Sequence, residues 1–153
     1  MTLAWTALQT SAAHPVRVVL TLSAGHPRDE LGPRPANARI ERFVPHAAVL
    51  KRGCLLVSHA GHGIVAKALS YGVPMVLVPW SRDQPGVAAR AAALGVAEVI
   101  ARQDLTGLRL SAAIDRVLGN PRYQANAARI ASRFQTRDAV AMARADRGTA
   151  GDS

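Results

Sequence analysis

Two nearly unbroken apolar runs, Cys54-Leu-Leu-Val-Ser58 and Pro74-Met-Val-Leu-Val-Pro79, constrain this chain more than any other feature. Runs without polar alternation suit strands covered on both faces, the situation of a parallel sheet between two layers of helix. The segment between them is helical in pattern, with Ile64, Val65, Ala68 and Leu69 on one stripe and Gly72-Val73-Pro74 as its stop. Strand, helix and strand in that order make a right-handed βαβ unit. The turn His59-Ala60-Gly61-His62-Gly63 then lies at the carboxyl end of the first strand, where the helix begins.

The same alternation extends to both sides. Residues 2 to 12 fit a helix, and Val16 to Leu22 a β-branched strand that ends at Ser23-Ala24-Gly25. A proline-rich loop over 25 to 37 precedes "ARIERFV", an alternating strand, and a short helix from His46 to Arg52. After the second apolar run, Asp83 is placed to cap a helix carrying Pro85 in its first turn, and "VAEVI" over 96 to 100 is a further strand. Thr106 caps a helix whose Leu110, Ala113, Ile114, Val117 and Leu118 match the amphipathic spacing, and Gly119-Asn120-Pro121 ends it. A last helix runs to about Arg144. The expected class is α/β, a doubly wound Rossmann-like parallel sheet with helices on both faces, in one domain over 1–146 with a polar tail over 147–153.

Composition excludes several functions. No stretch has the roughly 18 apolar residues of a membrane span, and no Lys/Arg-led leader is present, so a cytoplasmic protein is expected. Cys54, the single cysteine, permits no internal disulfide and in its apolar setting is expected to be a packed core thiol. The net charge of +9 raises nucleic-acid binding, but the aromatic residues are scattered and none is interleaved with a basic motif, so no nucleic-acid partner is expected. The one ordered basic feature is the stripe Arg122, Arg129, Arg133, Arg137 and Arg144. It runs beside apolar Ala127, Ile130, Ala131, Phe134 and Ala141 and reads as a solvated helix face.

The chemistry concentrates at the glycine turn. In doubly wound sheets ligands bind beyond the carboxyl ends of the strands. A glycine turn leading into a helix N-terminus offers close backbone approach, unpaired N–H groups and a positive dipole, which suit a phosphate. Three readings compete. Gly61-His62-Gly63-Ile64-Val65-Ala66 fits the dinucleotide fingerprint G-x-G-x-x-A, with Asp83 about 20 residues on, but Asp83 follows a Pro79-Trp80-Ser81-Arg82 turn rather than ending a strand. A basic module for an anionic partner is the second. Zinc is disfavoured at His59 and His62 because no further ligand follows at metal spacing, and a hydrolase because G-x-S-x-G is absent.

The third reading rests on an ordered set of motifs: Phe43-Val44-Pro45-His46, His59-Ala60-Gly61-His62-Gly63, Ala68-Leu69-x-x-Gly72-Val73-Pro74, and the pair Asp83-Gln84. Together they resemble the donor-binding signature of family 1 glycosyltransferases with the GT-B fold, the group that includes macrolide and other natural-product glycosyltransferases. The likeness continues through "DLTGLRLSAAIDRVLGNPRY" and covers nearly the whole chain. It implies the C-terminal half of such an enzyme, which binds a nucleotide-diphosphate sugar such as a UDP- or dTDP-sugar. His59, Gly61, His62 and Gly63 would hold the diphosphate, Phe43, Val44 and His46 the nucleoside, and Asp83 and Gln84 the sugar hydroxyls. No metal or other cofactor is implied. No catalytic residue is expected here, because the family's histidine base sits in the acceptor-binding N-terminal half.

The chain departs from the family pattern in two respects. The family usually has Ser or Thr directly after the glycine turn and a Glu further along near the ribose, whereas this chain has Ile64 and Lys67. The family domain also opens with a strand before the helix at 2 to 12, and that first strand is expected to be missing, leaving apolar edges that favour self-association. Without the acceptor half the chain alone is expected not to transfer sugar.

Overall fold

The structure is a computed structural model and describes residues 2–22 and 27–149, with side chains apart from Glu30 and residues 138–149. The elements follow one another as α1 (Leu3–Ser11), β1 (Val18–Thr21), a 3-10 turn (Arg28–Leu31), β2 (Ala38–Glu41), α2 (His46–Leu50), β3 (Leu56–Ser58), α3 (His62–Ser70), β4 (Met75–Leu77), α4 (Gln84–Ala93), β5 (Ala97–Val99), a second 3-10 turn (Arg102–Asp104), α5 (Gly107–Gly119) and α6 (Pro121–Thr149). The class is the expected one, α/β with parallel strands and helices on both faces. The strands form two sheets, β1–β2 and β3–β4–β5, each parallel throughout.

β4 is the centre of the larger sheet. All three of its residues are buried, and successive side chains enter opposite cores, as the two-residue period of a strand requires. Met75 and Leu77 join Val65 and Ala68 of α3, Val87, Ala88 and Ala91 of α4, and Ala127 of α6. Val76 and Val78 join Leu3 of α1 and Leu110, Ala113, Ile114 and Val117 of α5. The apolar run was continuous in sequence because both of its faces are covered.

The smaller sheet has its own core of Leu8, Leu22, Leu31 and Ala38, with Ala4, Val18, Leu20 and Ile40 packed against it. α1 spans both units, since Leu3 and Ala7 face the larger core while Ala4 and Leu8 face the smaller. Thr2 caps α1 by accepting the Trp5 N–H at 3.2 Å. His14 ties the end of α1 to α5, with Nδ1 3.1 Å from the Thr10 carbonyl and Nε2 3.0 Å from an Asp115 carboxylate oxygen.

Several expectations are corrected. Cys54 is exposed, because β3 starts only at Leu56 and Cys54 belongs to the turn after α2. β2 ends at Glu41, so Arg42 and Phe43 lie outside it. Asp83 makes no side-chain cap to α4. Leu118 is 38% exposed at the end of its stripe. α6 continues to Thr149 instead of ending about Arg144. Of the arginine stripe, Arg122, Arg129, Arg133 and Arg137 are exposed; the side chains of Ala141 and Arg144 lie outside the described residues. No described helix is long and apolar enough to cross a membrane.

Candidate functional site

A cleft of about 780 Å³ opens between the carboxyl ends of β1 and β3. Its lining brings together Phe43, Val44, His46, His59 and Lys67, five of the residues singled out from sequence. It adds residues with no sequence signal toward a site: Thr2, Leu3 and Ala4 at the start of α1, Thr21 and Leu22 at the end of β1, Arg42 and Trp80. The start of α1 reaches the cleft only because that helix bridges the two sheets, a tertiary relation that no local pattern encodes.

The glycine turn follows directly after His59, but Gly61, His62 and Gly63, expected at the diphosphate, are not among the residues lining the cleft. The first backbone bond of α3 runs from the Val65 N–H to the Gly61 carbonyl at 3.1 Å, and no side chain caps the helix. The N–H groups of His62, Gly63 and Ile64 therefore precede the helical ladder and keep the donor character of a free N-terminus. A Cβ placed on Gly63 would meet nothing within 4 Å, so the space beside its Cα is open. The turn is reached through Ala60, which is fully buried and has φ +68°. A left-handed conformation costs a non-glycine residue about 1–2 kcal/mol and persists only where surrounding packing enforces it. Neither fact is legible in an alanine.

His59 is half-buried at the end of β3. Its Nδ1 lies 3.3 Å from the Val78 carbonyl, which fixes the ring so that Nε2 is the nitrogen left for a ligand. The ring also meets Trp80 edge to face, with centroids 4.9 Å apart and planes at 83°. The Arg102 guanidinium in turn sits 3.6 Å over the Trp80 ring. Three elements thus hold the imidazole: its own strand, the end of β4 and the turn after β5.

The opposite wall carries Phe43, Val44 and His46, in the extended link into α2. Phe43 is 85% exposed, which leaves an aromatic face available for stacking. Lys67 lies one turn into α3, and Arg42 precedes Phe43.

Asp83 and Gln84 do not line this cleft. They occupy the next loop, after β4, where Arg82 has φ +61°. Gln84 Oε1 accepts from the Trp80 N–H at 2.8 Å and the Ser81 N–H at 3.1 Å, so Gln84 closes its own turn, and its amide nitrogen remains to donate. Asp83 is exposed beside it. Among the described residues no group of three or more His, Cys, Asp or Glu is arranged to hold a metal ion.

Comparison with known proteins agrees with this fold. Residues 6–140 match the family described as erythromycin biosynthesis protein CIII-like, C-terminal domain. The chain is 38% identical over 134 residues to 4'-demethylrebeccamycin synthase of Lentzea aerocolonigenes, covering 88% of this chain and 31% of that protein. It is 34% identical over 110 residues to demethyllactenocin mycarosyltransferase of Streptomyces fradiae, covering 72% of this chain and 24% of that one. Among solved structures, glycosyltransferase VinC in complex with dTDP superposes with a TM-score of 0.79 at 36% identity, over 88% of this chain and 34% of that one. The calicheamicin glycosyltransferase CalG4 does so with a TM-score of 0.80 at 25% identity. The chain spans about a third or less of the length of these relatives. It belongs to the erythromycin biosynthesis protein CIII-like C-terminal domain family, the C-terminal domain of natural-product glycosyltransferases with the GT-B fold.

Proposed function

We propose that this chain is the donor-binding half of a glycosyltransferase that moves a hexose from a nucleotide-diphosphate sugar to a hydroxyl of a small-molecule or lipid acceptor, with inversion at the sugar carbon. The observation that carries the reading is the uncapped amino end of α3, aimed beyond the strand ends beside a ring held by its neighbours. The His62, Gly63 and Ile64 amides donate to the diphosphate, and His59, whose Nδ1–H is taken by the Val78 carbonyl, donates to it from Nε2 as an imidazolium carrying both ring protons. In the transition state the departing nucleoside diphosphate gains negative charge. Preformed amide donors stabilise that charge more than they stabilise the ground state, which is where rate acceleration originates.

The nucleoside lies against Phe43, with the backbone from Val44 to His46 at its edge. The sugar extends toward the β4 loop, where the Asp83 carboxylate accepts from its hydroxyls and the Gln84 amide nitrogen donates to them. No metal is used, because the charge is met by amides, imidazole and the cleft's cations. The base that deprotonates the acceptor comes from a separate acceptor-binding half, so this polypeptide alone transfers no sugar.

Calorimetric titration with UDP, dTDP and their hexose conjugates in the presence of a chelator tests this. His59→Ala is expected to weaken the diphosphates and the conjugates alike, by about tenfold, as loss of a hydrogen bond to a charged group does. Asp83→Ala is expected to weaken only the conjugates. Equal loss for bare diphosphate and conjugate in Asp83→Ala would contradict its assignment to the sugar, and a requirement for a divalent cation would contradict the metal-free reading.

A further inference from the structure

The ring of His59, which lines the cleft, is held by contacts that lead out of it. Its hydrogen-bond anchor is a long one. Nδ1 lies 3.3 Å from the Val78 carbonyl, where an N–H donor and a carbonyl usually approach to roughly 2.7–3.2 Å. The orientation of the ring therefore depends on its second restraint, the edge-to-face contact with Trp80. The Trp80 main chain is fixed by its N–H to Gln84 Oε1, but the side chain is 36% exposed. What stands against that ring is Arg102, with its guanidinium 3.6 Å from the ring centroid.

Arg102 opens the 3-10 turn after β5 and does not line the cleft. It is exposed, and among the described residues it takes part in no ion pair. Its charge has the indole ring as partner, and a guanidinium over tryptophan is among the most favourable pairings of that kind. We infer, on the donor-site reading given above, that Arg102 is a positioning residue: it steadies Trp80 against His59 and keeps the imidazole aimed at the anionic ligand without touching that ligand. A hydrogen bond weakens steeply as its angle departs from linear, and a side chain that must be ordered on binding lowers affinity by the cost of ordering it. With the guanidinium in place, that ordering precedes the ligand.

A double-mutant cycle between Arg102 and His59, with dTDP titrated calorimetrically into the purified chain, tests this. Arg102→Met is expected to weaken dTDP by about two- to fivefold, the size of an exposed cation–π contact. Arg102→Lys, which returns a cation to the ring, is expected to restore most of that affinity. In the His59→Ala background Arg102→Met is expected to add nothing, because the residue it positions is gone. A signature free of ligand accompanies the cycle. The His59 ring protons sit in the ring current of Trp80, so their resonances, assigned by their loss in His59→Ala, are expected to move in Arg102→Met while the denaturant midpoint stays in place. A full loss of affinity that persists in the His59→Ala background would show that Arg102 acts on the ligand by another route and would overturn the inference. Unchanged dTDP binding by Arg102→Met, or unmoved His59 resonances, would overturn it as well, and all three results leave the diphosphate reading standing. If dTDP does not bind the unaltered chain, the donor-site reading falls and this inference falls with it.

Discussion

The two halves of this molecule are built to different degrees of closure. In the larger sheet β4 has neighbours on both sides and a helical layer on each face, and its residues are wholly buried. In the smaller sheet β1 alternates half-buried and exposed positions, Val19 is 41% exposed, and the core is a single layer beneath α1. The glycine turn, the proposed phosphate site, stands on the closed half, where Val65 and Ala68 anchor α3 to the core. The cleft residues apart from His59, Lys67 and Trp80 belong largely to the open half and to α1. Groups that must meet a developing charge are set on rigid packing, while the walls that accept a variable ligand are set on lighter packing.

The sharpest way to break this comparison is to truncate a core residue in each half. Leu77→Ala, at a fully buried site, is expected to cost about 2–5 kcal/mol in denaturant unfolding, and Leu20→Ala in β1, half-buried, distinctly less. Equal costs would show that the halves are equally packed. A second pair contrasts two glycines. Gly72 has φ +69°, and an added Cβ would lie 3.4 Å from both the Ala128 Cα and the Ala131 Cβ, so Gly72→Ala is expected to lose about 1–2 kcal/mol of stability. At Gly63 the same change meets open space within the helix, so Gly63→Ala is expected to leave stability unchanged or raise it by about 0.5–1 kcal/mol. Its methyl then occupies the ground of the proposed ligand, and nucleotide affinity is expected to fall about tenfold.

A pH-dependent effect concerns the tie between the amino end of α6 and β5. The Tyr123 hydroxyl donates to the Glu98 carboxylate, and Arg116 Nε lies 3.6 Å from the same carboxylate. That hydrogen bond, with burial and the Glu98 charge, raises the Tyr123 pKa above its ordinary 10.0. Tyr123→Phe is expected to cost about 1 kcal/mol near neutrality. Because the folded value lies above the unfolded one, this contribution is complete below pH 10.0 and fades as pH rises through the folded value. The gap between wild type and Tyr123→Phe in unfolding experiments should therefore close at alkaline pH.

Elements whose signals are local were legible in the sequence. β4 was visible in an apolar run with both faces covered, and α5 in its Thr106 cap, which accepts the Arg109 N–H at 3.1 Å, and its stripe from Leu110 to Val117. The position of His59 and the glycine turn followed from strand-to-helix order alone. What stayed hidden depends on tertiary packing. Nothing in "CLLVS" distinguishes Cys54, in a turn after α2, from a first strand residue. Asp83 has the right residue type for a cap, but Gln84 captures the Trp80 and Ser81 N–H groups instead. The left-handed Ala60 and Arg82 carry no glycine or asparagine to announce them. Arg102 comes to rest on Trp80 only because β5 lies beside β4 in the sheet.

The central claim is that an anionic diphosphate is gripped by the opening amides of α3. Following backbone amide resonances while dTDP is added tests it most directly. The account predicts that the largest shifts fall on His62, Gly63 and Ile64 and that they shrink in His59→Ala at the same sub-saturating nucleotide concentration. Shifts centred instead on the arginine face of α6, at Arg129 and Arg133, with the α3 amides unmoved, would contradict it.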